Sequence, residues 1–157
     1  MLRFGLVVGA LLAGVLFSPR APILTGLLAP LDRLTARVTA ALLHASGMEV
    51  DRAGPVLSHA SGFACEVYWR CTGLLPAVFL AGLILASPTG LRRKGQGVAA
   101  GVALVLLVNL IRLAHLFWIG VRYPEAFPVA HAVIWEGGII LLVIGLWWAW
   151  MRWSARA

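Results

Sequence analysis

The chain has 157 residues, 61% of them hydrophobic and 12% charged, with a mean hydropathy of +0.92 and a formal charge of +7. That balance excludes an ordinary soluble domain and points to one small polytopic membrane domain. The basic residues stand in short groups between apolar runs with no stacking platform, so anionic headgroups explain them better than nucleic acid does.

Leu2 to Phe17 is the first apolar run, preceded by Arg3 and ended by Ser18-Pro19-Arg20-Ala21-Pro22. About 16 residues at 1.5 Å each cover roughly 24 Å against a hydrocarbon core of roughly 30 Å, so the helix is short for a span. No small-x-small cleavage site follows, and a retained helix is expected rather than a signal peptide. Ile23 to Ala45 is expected to be an interfacial amphipathic helix. Leu24, Leu28, Leu31, Thr35, Val38 and Leu42 form its apolar stripe, with Asp32, Arg33 and Arg37 displaced to the other side and Gly47 as the stop.

From Met48 to Arg70 the texture changes to short alternating pieces punctuated by Gly54-Pro55 and Ser61-Gly62. Extended or hairpin structure at the membrane surface is expected there. Leu74 to Ala86 gives the second span, closed by Ser87-Pro88-Thr89-Gly90, and the basic cluster Arg92-Arg93-Lys94 follows in the connection. Val98 to Gly120 gives the third span and carries Asn109, Arg112 and His115. A short loop around Tyr123-Pro124-Glu125 leads to the fourth span, Ala132 to Met151, with Trp147, Trp148, Trp150 and Trp153 as an interfacial belt. The fold class expected is therefore an all-α membrane protein: about four spans, an interfacial helix and a short extracytoplasmic segment, forming a single domain over 1–157. Total charge does not orient it, but the dense basic cluster in a short connection places both termini in the cytoplasm.

Alternation of the spans brings Cys71, Arg112 and His131 to the same side of the bilayer whichever way the chain is oriented. A thiol, a guanidinium and an imidazole are the parts of an acyl-transfer site. Each also has a plainer explanation. Arg112 could be half of a buried ion pair with Glu136. Cys71 could be a small apolar filler or half of a disulfide with Cys65, although the start of a helix near Arg70 or Arg112 would lower its thiol pKa. His131 could cap a helix; His115 could be packing or a supporting hydrogen-bond donor, and His44 and His59 have no apolar setting. Cys65 and Cys71 do not have zinc-site spacing, so neither a metal nor a cofactor is expected.

Three segments taken together are specific: Arg70-Cys71-Thr72-Gly73 ahead of a span, Asn109-Leu110-Ile111-Arg112 within one, and Ala130-His131-Ala132-Val133-Ile134-Trp135 opening the last. In order and spacing they resemble the exosortase/archaeosortase family of membrane transpeptidases, most closely the short exosortase H type, over roughly Cys71 to Trp153. The resemblance implies a catalytic Cys71, Arg112 and His131. Tyr68, Asn109 and Glu136 are candidates for orienting them, and Cys65 has no place in the pattern.

It further implies a multi-pass protein of the bacterial plasma membrane with its site on the extracytoplasmic side. Its partners would be exported proteins ending in a short motif, a transmembrane helix and a basic tail. Cys71 would attack to form a thioester, His131 would protonate the leaving amine and later activate the acceptor, and Arg112 would stabilise the oxyanion or thiolate. Two rivals come from other classes: a four-helix membrane thiol oxidoreductase cycling Cys65 and Cys71, and a non-catalytic membrane assembly factor.

Overall fold

The computed structural model describes residues 22–156. The first apolar run, Leu2 to Phe17, lies outside the described residues. Helix α1 covers Pro22–Ala45 and ends where the backbone turns left-handed at Gly47, with φ +82°. Met48 N–H donates to Leu43 O at 3.0 Å and Gly47 N–H to His44 O at 2.9 Å, the paired bonds of a Schellman ending.

The face that α1 buries is not the leucine stripe. Asp32, Thr35, Ala36, Thr39, Ala40 and Leu43 are buried, at spacings of three and four, while Leu27, Leu34 and Leu42 are exposed. Of the expected stripe beyond residue 25, Thr35 alone is buried. Small side chains let two helix backbones approach closely, and in lipid that packing, rather than apolarity, selects the interface. Here α1 lies against the third helix of the fold, and its outward leucines are suited to hydrocarbon.

Between α1 and the next helix is the expected extended segment, folded as a three-stranded antiparallel sheet of β1 (Asp51–Ala53), β2 (Val56–Ser58) and β3 (Ala64–Glu66). Gly54-Pro55 makes the first hairpin turn, and the second runs through His59 to Phe63, with Cys65 opposite Leu57. Leu57 and Val67 are buried with Ala36, Ala40 and Leu43 of α1 and with Phe117. The sheet and α1 therefore share one core and sit as a cap on the helices.

Helix α2 is Leu74–Ala86, α3 is Leu91–Arg122 and α4 is Glu136–Arg156, the last preceded by a helical turn over Phe127–Val129 and a π-helical segment over Ala130–Trp135. Two helical stretches are long and apolar enough to cross a membrane, Leu91–Arg122 and the continuous run Pro124–Ala155. The expected second span is shorter: 13 residues of α2 cover only about 20 Å. The reason is visible in its register, because α2 starts level with Asn109, well down α3, and its far end meets the start of α3, where Lys94 Nζ donates to Leu85 O at 2.7 Å. Of the three expected spans that fall among the described residues, two are long and apolar enough to cross. The basic cluster is also placed differently from expectation, inside the first turn of α3 rather than in a connection, with Arg93 Nη1 donating to Ser154 O at 3.0 Å.

Candidate active site

Just before α2, the chain forms a single 3-10 turn, Trp69–Cys71, and two bonds hold it. Cys71 N–H donates to Tyr68 O at 2.6 Å, and the buried Thr72 hydroxyl donates to Trp69 O at 2.7 Å. Gly73 follows with φ +81°, a conformation that side chains rarely adopt. The glycine is needed for a second reason as well: a Cβ there would lie 2.9 Å from Cβ and Cγ of Asn109.

Asn109 occupies the space so left. Its Nδ2 donates to Cys71 O at 2.7 Å, and its Oδ1 accepts a long 3.4 Å bond from Arg112 Nη1. One fully buried amide therefore joins the cysteine turn to the arginine, which is itself 8% exposed. Asn109 and Arg112 are one helical turn apart on α3, so the spacing Asn-x-x-Arg places both on the face that meets the cysteine.

Arg112 is ten residues from the end of α3, about 15 Å along the axis, and Asn109 holds the Cys71 backbone at nearly that level. Cys71 packs against the core shared by α1 and the sheet. Arg112 also lacks the partner suggested for it. It forms no ion pair with Glu136, which is exposed, and its Nε is buried without a hydrogen-bond partner.

Electrostatics at Cys71 reverse the expected direction. Burial pushes the thiol up, and this outweighs the pull of the Tyr68 backbone and hydroxyl bonds and of the Arg112 charge, while the Asp32 carboxylate adds to the rise. A half-buried sulfur loses hydration of its anion, which one turn of 3-10 helix does not replace. The resting group is a thiol. Cys65 is pushed up to about 11, first by burial and then by the neighbouring Cys71. Both cysteines are free and pack against the same core beneath the sheet. Burial also raises the Tyr68 hydroxyl, and Cys71 adds to that rise; Glu136 acts on Tyr68 from a greater distance.

His131 lies on the π-helical segment, half-buried, with its ring stacked on Phe127 at 5.8 Å; Phe127 in turn meets Phe63 of the sheet at 5.5 Å. It makes no hydrogen bond to Cys71 or Arg112. The structure therefore joins Cys71, Tyr68, Asn109 and Arg112, and brings neither His131 nor Glu136 into hydrogen-bond contact with them. Of the two roles expected for His115, the structure shows packing, against Trp118 and Trp135, and in place of donation its Nδ1 accepts a 3.0 Å bond from Trp135 Nε1, fixing the π segment to α3. π turns of this kind occur in helices where a site demands an extra residue.

A residue that sequence reasoning missed is Asp32. Assigned there to the solvated side of α1, it is 8% exposed, its Oδ1 has no hydrogen-bond partner, and its charge acts on Cys71. The one available signal was its position on the Thr/Ala stripe, three residues from Thr35.

The chain as a whole matches a known family over nearly its full length. A family model described as transmembrane exosortase (Exosortase_EpsH) matches residues 2–150. The chain belongs to the transmembrane exosortase family. No curated protein and no solved structure matches it. An exosortase is a membrane protein, in agreement with the two apolar stretches long enough to cross.

Proposed function

We propose that this exosortase is a membrane-embedded cysteine protease and transpeptidase that cleaves the C-terminal sorting signal of exported proteins at the extracytoplasmic side of the bacterial plasma membrane. The observation that carries the reading is the Asn109 bridge, which holds Cys71 and the buried Arg112 in one unit. A buried guanidinium with a free Nε beside a thiol is suited to an anion that exists only during reaction, whether thiolate or tetrahedral oxyanion.

Catalysis begins from the protonated thiol. His131 takes the Cys71 proton as the sulfur attacks the scissile carbonyl, and the negative charge on the oxygen faces Arg112. Collapse expels the amine of the sorting signal with the proton that His131 carried, leaving a thioester on Cys71. The acceptor then attacks the thioester and Sγ departs with the electron pair of the C–S bond. On this reading, substrate entry shifts the π segment that carries His131 and brings its imidazole to the sulfur.

Co-expression of the enzyme with an exported protein bearing such a signal tests the reading. Wild type is expected to shorten the substrate and Cys71→Ala to leave it intact at equal enzyme level. Residual shortening by the alanine variant would refute the nucleophile. Counting thiols on the non-reduced protein separates this reading from a redox pair, since the protease needs Cys71 free.

A further inference from the structure

Two buried polar atoms flank Cys71 without partners, and they have opposite character. Arg112 Nε is a donor and Asp32 Oδ1 an acceptor. Both side chains are more than nine-tenths buried, each at 8% exposure. They come to the cysteine turn from different helices: Arg112 from α3, tied through Asn109 to the Cys71 carbonyl, and Asp32 from α1, which packs on the turn Trp69–Cys71; the charges of both act on the thiol. Buried polar groups are normally satisfied, and leaving a donor and an acceptor open on two sides of one nucleophile is costly unless a ligand fills both.

A group presenting a carbonyl oxygen and an N–H on adjacent atoms is an amide. We propose that Asp32 is the amine-binding residue of the site: its Oδ1 accepts the N–H of the scissile peptide bond, and after the leaving amine has gone it accepts an N–H of the incoming acceptor, which is a primary amine. This rests on the thioester reading above and assigns the acceptor class. Arg112 faces the carbonyl oxygen throughout.

In the transfer step the nitrogen lone pair forms the new C–N bond and the C–S bond breaks with its pair on Sγ. One amine proton passes to the His131 imidazole, and the second stays on the new amide, bonded to Asp32. No oxidant or further reactant is involved. Glu66, whose charge acts on Asp32, adds negative potential on the same side and favours a cationic or amine ligand over an anionic one. Asp32 lies on the buried face of α1 with Thr35, Ala36 and Thr39, which limits the access of water and biases the thioester towards aminolysis.

The test needs no knowledge of the natural substrate. The full chain in lipid vesicles is acylated with the p-nitrophenyl ester of N-acetylglycine, and the label is assigned to Cys71 by its loss in Cys71→Ala. Decay of the acyl-enzyme is followed by intact mass with and without glycinamide. Wild type is expected to show a saturable glycinamide-dependent rate. In Asp32→Leu the ratio of amine-dependent to water-dependent decay is expected to fall at least about tenfold, the usual worth of a charged hydrogen bond. Asp32→Asn, which keeps one oxygen without charge, is expected to fall between and carries the comparison if the leucine variant does not insert.

A ratio within twofold of wild type in the variants that insert overturns the assignment of Asp32 while leaving Cys71 as the acylated residue. Failure of the ester to label Cys71 at all removes the thioester reading and this inference together.

Discussion

Replacing Gly73 with alanine is the most direct probe of how the site is built, because it perturbs the cysteine turn and the Asn109 bridge with one methyl group. The backbone at φ +81° costs an L-residue about 1–2 kcal/mol, and a Cβ 2.9 Å from two Asn109 atoms adds about 1–3 kcal/mol of overpacking. The sum, about 3.5 kcal/mol, corresponds to a fall of roughly 10 °C in melting midpoint for a chain of this size. The fluorescence of the seven tryptophans gives that midpoint in detergent. Gly82→Ala is the control, since nothing lies within 4 Å of its missing Cβ and α2 should gain about 0.5–1 kcal/mol from losing a mid-helix glycine. Relieving the overlap pushes Asn109 away from Cys71 O, so Gly73→Ala should also abolish substrate shortening at temperatures where it remains folded. Combining it with Asn109→Ala should cost activity no more than the worse single change, because both act through one contact. A Gly73→Ala protein that melts within about 2 °C of wild type and still processes substrate would show that the reasoning is wrong.

Alkylation of Cys71 by iodoacetamide should be slow at pH 7 and still rising above pH 9, because a thiol pushed up by burial gives thiolate only as pH climbs past its ordinary range. Tyr68→Phe removes a bond that favours the thiolate and should move the profile to higher pH; a plateau below pH 8 would contradict both. Cys65, pushed up to about 11, should react more slowly than Cys71 throughout that range. Arg112→Leu should lower processing by about 10²–10³-fold, the usual effect of removing an oxyanion partner, and Arg112→Lys should restore little of it. Trp135→Phe keeps the ring but loses the bond to His115, and should cost about 1 kcal/mol of stability while lowering processing through the π segment that carries His131. Unchanged processing in Trp135→Phe would mean that this clamp does not position His131.

Local chemistry was legible in the sequence, and packing was not. Cys71, Asn109 and Arg112 stood out because each is an unusual residue for its place, a thiol at the head of an apolar run and an amide and a guanidinium inside another, whereas Gly73 appeared only as a member of its motif and its contact with Asn109 was not legible. The sheet was legible from its turn residues, Gly54-Pro55 and Ser61-Gly62. The face of α1 was misjudged because apolar periodicity identifies the core only where water is the solvent. Around a membrane, leucines can face out and threonines in, so Asp32 was assigned to the wrong side. The length of α2 was misjudged because hydropathy treats every apolar run as a crossing, whereas α2 has 13 residues and begins partway along α3. The π segment left no trace in spacing, since Ala130 to Trp135 has the same apolar texture as ordinary helix.

These observations share a single electrostatic logic. A guanidinium in the middle of an apolar helix costs at least roughly 2.5 kcal/mol, and a long bond to a neutral amide returns only part of it. On α1, Asp32 carries the opposite charge and is also short of a partner, yet the two acidic and basic groups act on the sulfur between them instead of closing on one another. Were they to pair, the fold would be relieved of two orphaned atoms, but the nucleophile would lose both its donor and its acceptor. On the arginine side Nη1 donates to Asn109 instead, and Gly73 leaves the space that Asn109 occupies. On the proposed mechanism, stability is thus sacrificed at the place that would receive an amide bond, a thiolate and an oxyanion in turn, beneath the shared core of α1 and sheet.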